Sequence, residues 1–360
     1  MLLLGSFAYH SNVIRSDTSL TEYLMKRKAR LKDIAEALNI STTTVSRALN
    51  NKEDISPETK QAVLEVAKML NYRPNYFAKS LHNSDSHLIG VVVPRVNHSF
   101  YSEMIDGILF QAKEKGYAVL LSESMDSNDR EQECIEQFLN INIGALIIAP
   151  SHNSDIPKGH QIIGIEKKSV VICDRSSDKT LYSHITNDHD HGAYSATMHL
   201  INHGRQKIGH IRGLSHDNIA DAIYHGYQKA MLQNNLSTYV QQCDRVNPAE
   251  SYKAAQQLIE YHEVDSFVAV SDEAALGIYR YCFEKDKKIP QDISVIGFSN
   301  AKYAQHLTPA LSTVDQKSRE MGIGAVDLIH SQKTKPFKKD HKTLKTNFIN
   351  RESSLTTIPT

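Results

Sequence analysis

Two patterns of apolar and polar positions divide the chain. From residue 88 onward, short apolar runs recur: Leu88–Val93, Ala118–Ser122, Gly144–Ala149, Ser169–Asp174, Lys207–Ile211, Ser266–Val270 and Ser294–Phe298. Helical stretches such as Phe100–Lys115 and Asn187–Asn202 lie between them. Short buried strands alternating with helices predict parallel sheets covered on both faces. About 270 residues of this pattern is too much for one sheet and predicts two lobes. In such sheets ligands sit beyond the carboxyl ends of the strands.

Upstream the period changes. Leu31, Ile34, Ala35 and Leu38 fall at helical spacing, Asn39 and Ile40 make a turn, and Val45, Ala48 and Leu49 bury one face of a second helix. Ser41 is placed to cap that helix by accepting a backbone N–H near Thr43 or Thr44. Thr42, Thr43, Ser46, Arg47 and Asn50 stay outside, a face of hydrogen-bonding groups suited to a DNA major groove. This reads as a helix-turn-helix with Ser41–Asn50 as its recognition helix, although the pattern alone also fits an ordinary pair of amphipathic helices. Ser56-Pro57-Glu58 starts a third helix that buries Ala62, Val63, Val66, Ala67 and Leu70. Pro74 then ends the helical reading, and Asn75 caps a short helix through Leu81. So short a helix orders only when packed against something, such as DNA and a partner copy.

Composition sharpens this division. The 360 residues carry no formal net charge. Between Met25 and His82, however, eleven Lys and Arg face six Asp and Glu, a local excess of five. One basic module beside a mildly acidic body is the footprint of phosphate contact by one end only. Residues 1–24 show no clear period and read as a disordered arm or a translation artefact upstream of a working start at Met25. Lys26, Arg27, Lys28 and Arg30 then form a basic arm. The apolar opening lacks a preceding basic region and does not read as a signal peptide. Cys134, Cys173, Cys243 and Cys282 lie far apart, which speaks against zinc and disulfide scaffolds and suits a reducing cytosol. His189-Asp190-His191 has poor metal-ligand spacing on a helix and reads as a helix start capped by Asn187 or Asp188. No metal and no cofactor are expected.

The order and spacing of Leu31–Asn50, Ser56-Pro57, Asn71-Tyr72-Arg73-Pro74-Asn75, Ala78 and Leu81 resemble the LacI/GalR family of bacterial transcription regulators. The resemblance covers the DNA-binding part and, more loosely, the chain down to Arg351. It implies a multi-domain protein: an all-α helix-turn-helix domain, then a two-lobed α/β periplasmic-binding-protein-like domain with parallel sheets. The expected division is a helix-turn-helix domain at 25–73, a hinge helix and linker at 74–86, and an effector-binding domain at 87–357. Lobe one is expected at about 88–187 and 314–341, lobe two at about 188–313 and 342–354. The implied DNA-binding set is Ser41, Thr42, Thr43, Thr44, Ser46, Arg47, Asn50, Tyr72, Asn75, Ala78 and Leu81. Thr42, Thr43 and Arg47 match base-reading positions, and Leu81 matches a wedge pushed into the minor groove at the operator centre.

For the effector, the resemblance points to Phe100 or Tyr101 in the loop after the first strand, to Arg175, to Asp272 as an acceptor for ligand hydroxyls, and less firmly to Asn300. Arg175 suits a bidentate grip on hydroxyls or an acidic group, or a local ion pair. Three departures stand out. Asp221 occupies a place where many members carry an effector-gripping arginine, Ile223 one where a second is frequent, and Ser299 replaces an Asp. Exchanging Arg for Asp removes a donor fork and adds an acceptor, which favours a neutral sugar. The implied activity is that of a cytoplasmic repressor of carbohydrate-utilisation genes. It would act as a homodimer on a near-palindromic operator, under the control of a small molecule between the lobes. The competing reading, a solute-binding protein or an enzyme on the same lobes, needs secretion or a catalytic constellation. The sequence holds no Walker loop, GxSxG, HExxH or helix-opening GxGxxG.

Overall fold

The computed structural model describes residues 29–72, 87–156, 161–162, 168–177, 179–214, 218–334 and 339–354. The chain divides into two compact units, Met1–Lys79 and Ser80–Thr360.

The smaller unit holds Leu31–Leu38 (α1), Thr42–Leu49 (α2) and Pro57–Met69 (α3). Ile34, Val45 and Val63, one from each helix, are fully buried. Leu31, Leu38, Leu49, Leu70 and Tyr72 pack around them. Asn39 ends α1 in the left-handed region at φ 51°, where its N–H reaches the Ala35 and Glu36 carbonyls, and asparagine tolerates that region better than most residues. Ser56 accepts the Thr59 N–H at 3.3 Å, and Pro57 stands in the first turn of α3. Each such cap contributes about 1 kcal/mol, enough to matter in so small a core.

In the larger unit, lobe one begins with Leu88–Val93 (β1), Ser99–Glu114 (α4), Ala118–Glu123 (β2), Asn128–Asn140 (α5), Ala145–Ile148 (β3), Ser169–Cys173 (β4) and Ser183–Asn187 (β5). Lobe two follows with His189–Asn202 (α6), Ile208–Arg212 (β6), Asn218–Gln233 (α7), Tyr239–Gln242 (β7), Pro248–His262 (α8), Ser266–Ala269 (β8), Asp272–Glu284 (α9), Ser294–Phe298 (β9) and Ser312–Asp315 (β10). Ser318–Thr334 (α10), His341–Leu344 (β11) and Asn347–Ile349 (β12) complete the two lobes. The first sheet runs β11-β5-β4-β3-β1-β2 and is wholly parallel. The second runs β12-β10-β9-β8-β6-β7, with only β12 antiparallel. Alternate residues of β1 serve opposite cores. Ile89, Val91 and Val93 meet Met104 and Ile108 of α4 and Met321 and Val326 of α10. Leu88 and Val92 meet Ile135 and Phe138 of α5. Helices α4 and α10 touch backbone to backbone: a Cβ on Gly322 would lie 2.0 Å from the Met104 carbonyl oxygen, and one on Gly107 2.1 Å from that of Arg319.

The lobe limits expected from sequence need correction. Strand β10 lies entirely in the second sheet, α10 packs on the first, and β11, assigned above to lobe two, pairs with β5 of lobe one. A strand's periodicity shows that it is a strand and leaves its sheet open. The three crossings are tied together: Asn187 Nδ2 donates to the Gln316 carbonyl at 2.5 Å, and the Thr346 N–H donates to Asp188 Oδ1 at 2.6 Å. Asp188 is the N-cap residue of α6, so the His189-Asp190-His191 segment opens a helix. Among the described residues no three His, Cys, Asp or Glu side chains gather as metal ligands, and no helix is long and apolar enough to cross a membrane.

Candidate nucleic-acid interface and interlobe cleft

Helix α2 presents its polar face outward. Ser41 Oγ accepts the Thr44 N–H at 3.0 Å and shares a hydrogen bond with Thr44 Oγ1 at 2.9 Å. The Thr44 hydroxyl thus belongs to the cap, whereas Thr42 and Thr43 stand exposed. Ser46 is half-buried, and its carbonyl accepts Asn50 Nδ2 at 2.7 Å. Arg47 is exposed and donates to Asp54 Oδ2 from Nε at 2.8 Å, with Nη2 at 2.6 Å from the same oxygen. Hydrogen bonding to that guanidinium holds the Asp54 carboxyl below its ordinary range. Tyr72 closes the core of the unit, and burial raises its phenol pKa.

In the larger unit the carboxyl edges of the two sheets face each other. Glu273, in the first turn of α9, accepts the Ser99 N–H of lobe one at 3.4 Å and lies 3.4 Å from His98 Nε2. Burial lowers the His98 pKa. On the lobe-one wall, Arg175 Nη1 donates to the Tyr101 hydroxyl at 3.0 Å and to the Pro150 carbonyl at 3.1 Å, and lies 3.6 Å from Asp126. The Tyr101 hydroxyl in turn donates to Asp174 Oδ2 at 3.4 Å. Behind this wall the buried Glu131 carboxylate accepts the Ser151 N–H at 2.6 Å and the Ser154 hydroxyl at 2.5 Å, bracing the loop that carries Pro150. At the crossings, His189 Nε2 stands 3.8 Å from Asp174, and Nδ1 lies 3.3 Å from Gln316 Nε2.

The lobe-two wall is arranged differently. Asp272 is fully buried: Oδ1 accepts Thr313 Oγ1 at 2.6 Å, and Oδ2 accepts the Ala301 N–H at 2.6 Å and Ser299 Oγ at 3.4 Å. Burial pushes its pKa up to about 6. The Asn300 side-chain oxygen accepts from Arg351 Nη2 at 2.7 Å. Asn300 lines a cavity of about 250 Å³ with Glu103, Lys302, Arg319 and Arg351. Asp221 accepts from Arg212 Nη2 at 2.5 Å.

Residues 30–75 match the profile of bacterial regulatory proteins of the lacI family, and residues 197–354 that of a periplasmic-binding-protein-like domain. The chain is 30% identical over 333 residues to a probable HTH-type transcriptional repressor ExuR of Bacillus subtilis, covering 90% of this chain and 97% of that protein. The chain belongs to the LacI family. It is also 28% identical to a ribose operon repressor of Halalkalibacterium halodurans, over 90% of this chain and 96% of that one. Among solved structures, the lac repressor dimer bound to operator and the anti-inducer ONPF superposes with a TM-score of 0.81 at 22% identity, covering 92% of this chain and all of that one.

Within this LacI-family regulator, the expected effector residues fall into three groups. Tyr101 and Arg175 meet on one wall, while Phe100 stands edge-on to Tyr101 at 5.2 Å in the lobe-one core. Asp221 is half exposed on the opposite lobe and holds Arg212. Asp272 and Asn300 are spent on protein partners. Asp272, expected as an acceptor for ligand hydroxyls, latches the start of α9 to β10 and to the 299–301 loop. The sequence reading missed Arg212, Glu273, Gln316 and Glu131. Glu273, Gln316 and Glu131 meet partners 20 or more residues away, and Arg212 stands at a strand end, so no local pattern marks them. Asn75, Ala78 and Leu81 lie outside the described residues.

Proposed function

We propose that this LacI-family transcriptional regulator is a repressor of carbohydrate-utilisation genes that binds a near-palindromic operator as a homodimer in the cytoplasm. It carries out no catalysis of its own. The observation that carries the reading is the outward face of α2, where a buried apolar side and a satisfied cap leave Thr42, Thr43 and Arg47 exposed for base edges. Ser41, Thr44, Ser46, Asn50 and Tyr72 hold that face and its surroundings in place or contact phosphates. Asn75, Ala78 and Leu81 supply the hinge and its wedge.

A small molecule between the lobes sets the affinity for DNA. Two distinct sites coupled through a change of lobe geometry satisfy the definition of allostery, with a coupling of about 1–3 kcal/mol. The effector is a neutral sugar. Supporting this, Tyr101, Arg175, Asp174 and Asp126 offer mixed donors and acceptors with their charges already paired. Related regulators have been solved with cellobiose and with ribose.

Selection of duplexes from a random pool by the purified protein tests the reading. It predicts enrichment of a two-fold symmetric site whose binding weakens on addition of one neutral sugar from a panel. Failure to enrich any duplex favours the solute-binding alternative.

A further inference from the structure

Helix α7 carries a carboxylate, Asp221, in its first turn. The structure supplies an arginine from another element. Arg212 is the last residue of β6, at the carboxyl edge of the second sheet, the same edge that Glu273 joins to lobe one. Its Nη2 donates to Asp221 Oδ1 at 2.5 Å, and its guanidinium carbon stands 4.6 Å from the centroid of the Tyr224 ring. That stacking fixes the plane of the fork. The Arg212 side chain is 12% exposed and that of Asp221 48%. Arg212 Nε is buried without a hydrogen-bond partner. Nε has no accessible surface, so any ligand contact falls to the terminal nitrogens of the fork.

We propose that Arg212 and Asp221 form a hydroxyl-reading pair on the lobe-two wall, the guanidinium donating to one oxygen of an uncharged polyol and the Asp221 carboxylate accepting from a neighbouring hydroxyl. The inference rests on the sugar-effector reading and adds the residues that enforce neutrality. One positive and one negative group in contact sum to no net charge. A ligand carboxylate or phosphate that approaches Arg212 meets Asp221, and an amino sugar that approaches Asp221 meets Arg212. The same arginine without its aspartate would favour an acid. The pair is therefore a specificity device as well as a binding one.

The test uses calorimetric titration of the full-length protein with D-ribose, D-xylose, D-galactose, D-glucose and cellobiose, and with D-galacturonate and D-glucose 6-phosphate as charged counterparts. The wild type binds at least one neutral sugar and prefers each neutral sugar to its charged counterpart. Asp221→Asn, nearly isosteric and half exposed, shifts the galacturonate-to-galactose affinity ratio toward the acid by about tenfold. Arg212→Lys, which keeps the charge and loses the fork, weakens the best neutral sugar by about tenfold. An unchanged ratio in Asp221→Asn, or a charged counterpart that binds the wild type as tightly as its neutral sugar, overturns the pair while leaving sugar control intact. Absence of binding by any of the sugars overturns sugar control itself and the pair with it.

Discussion

Two Arg–Asp pairs of nearly equal length stand in contrasting surroundings. Arg47 and Asp54 approach to 2.6 Å with side chains 48% and 52% exposed, whereas Arg212 and Asp221 approach to 2.5 Å with the arginine only 12% exposed. Water competes freely for the first pair, so it exchanges readily for a base edge or a phosphate. In the second only the guanidinium is screened from water while the carboxylate stays half exposed, so a ligand of matching polarity replaces part of it. The contrast extends to the units that hold them. The helical unit turns polar groups outward, and the two-lobed unit turns them inward and locks them, Asp272 being the extreme case.

The largest expected effect comes from opening that lock. Asp272→Ala strands the Ala301 N–H and the Thr313 hydroxyl in a dry interior and costs about 2–5 kcal/mol, read as a lower urea midpoint. An unchanged midpoint removes the latch. Next, Gly322→Ala forces α10 away from the Met104 carbonyl and costs about 1–3 kcal/mol in the same assay. A smaller effect follows from pH. With its pKa raised to about 6, Asp272 contributes stability that is fully present below the unfolded carboxylate range and lost as pH rises through about 6. Relative to Asp272→Asn, the wild type should therefore lose on the order of 1–2 kcal/mol between pH 4.5 and pH 7. A flat difference contradicts the burial of an ionisable carboxyl. The smallest effect is expected at the exposed pair. Asp54→Asn frees Arg47 and removes a negative charge near the duplex, tightening non-specific DNA binding by about threefold at low salt and less at high salt.

The same division explains what the sequence disclosed. The three helices were legible because their signals are local: Ser41 and Ser56 cap within three residues, Pro57 opens α3, and the apolar positions recur at helical spacing. The alternating strands were legible for a similar reason, since a doubly covered strand such as β1 is apolar throughout. The cleft was not. Asp272 reads in sequence as an acceptor, but its partners, Thr313 forty-one residues away and the 299–301 loop, are not visible there. Arg212 sits at the polar end of an apolar run, where it reads as the edge of a strand. Its role emerges only when Asp221 and Tyr224 on α7 meet it. Glu273 faces Ser99 across 174 residues. Contacts of that range depend on how two lobes close, which no window of sequence encodes.

The central claim, that the outward face of α2 reads base sequence, is tested most directly by fluorescence anisotropy at one fixed salt concentration. Wild type and Arg47→Ala are each titrated with the selected duplex and with an unrelated duplex of equal length. The account predicts that the ratio of the two affinities falls by about tenfold or more in the variant, while binding to the unrelated duplex weakens only slightly. Equal weakening on both duplexes would contradict it, because Arg47 would then be touching phosphates alone.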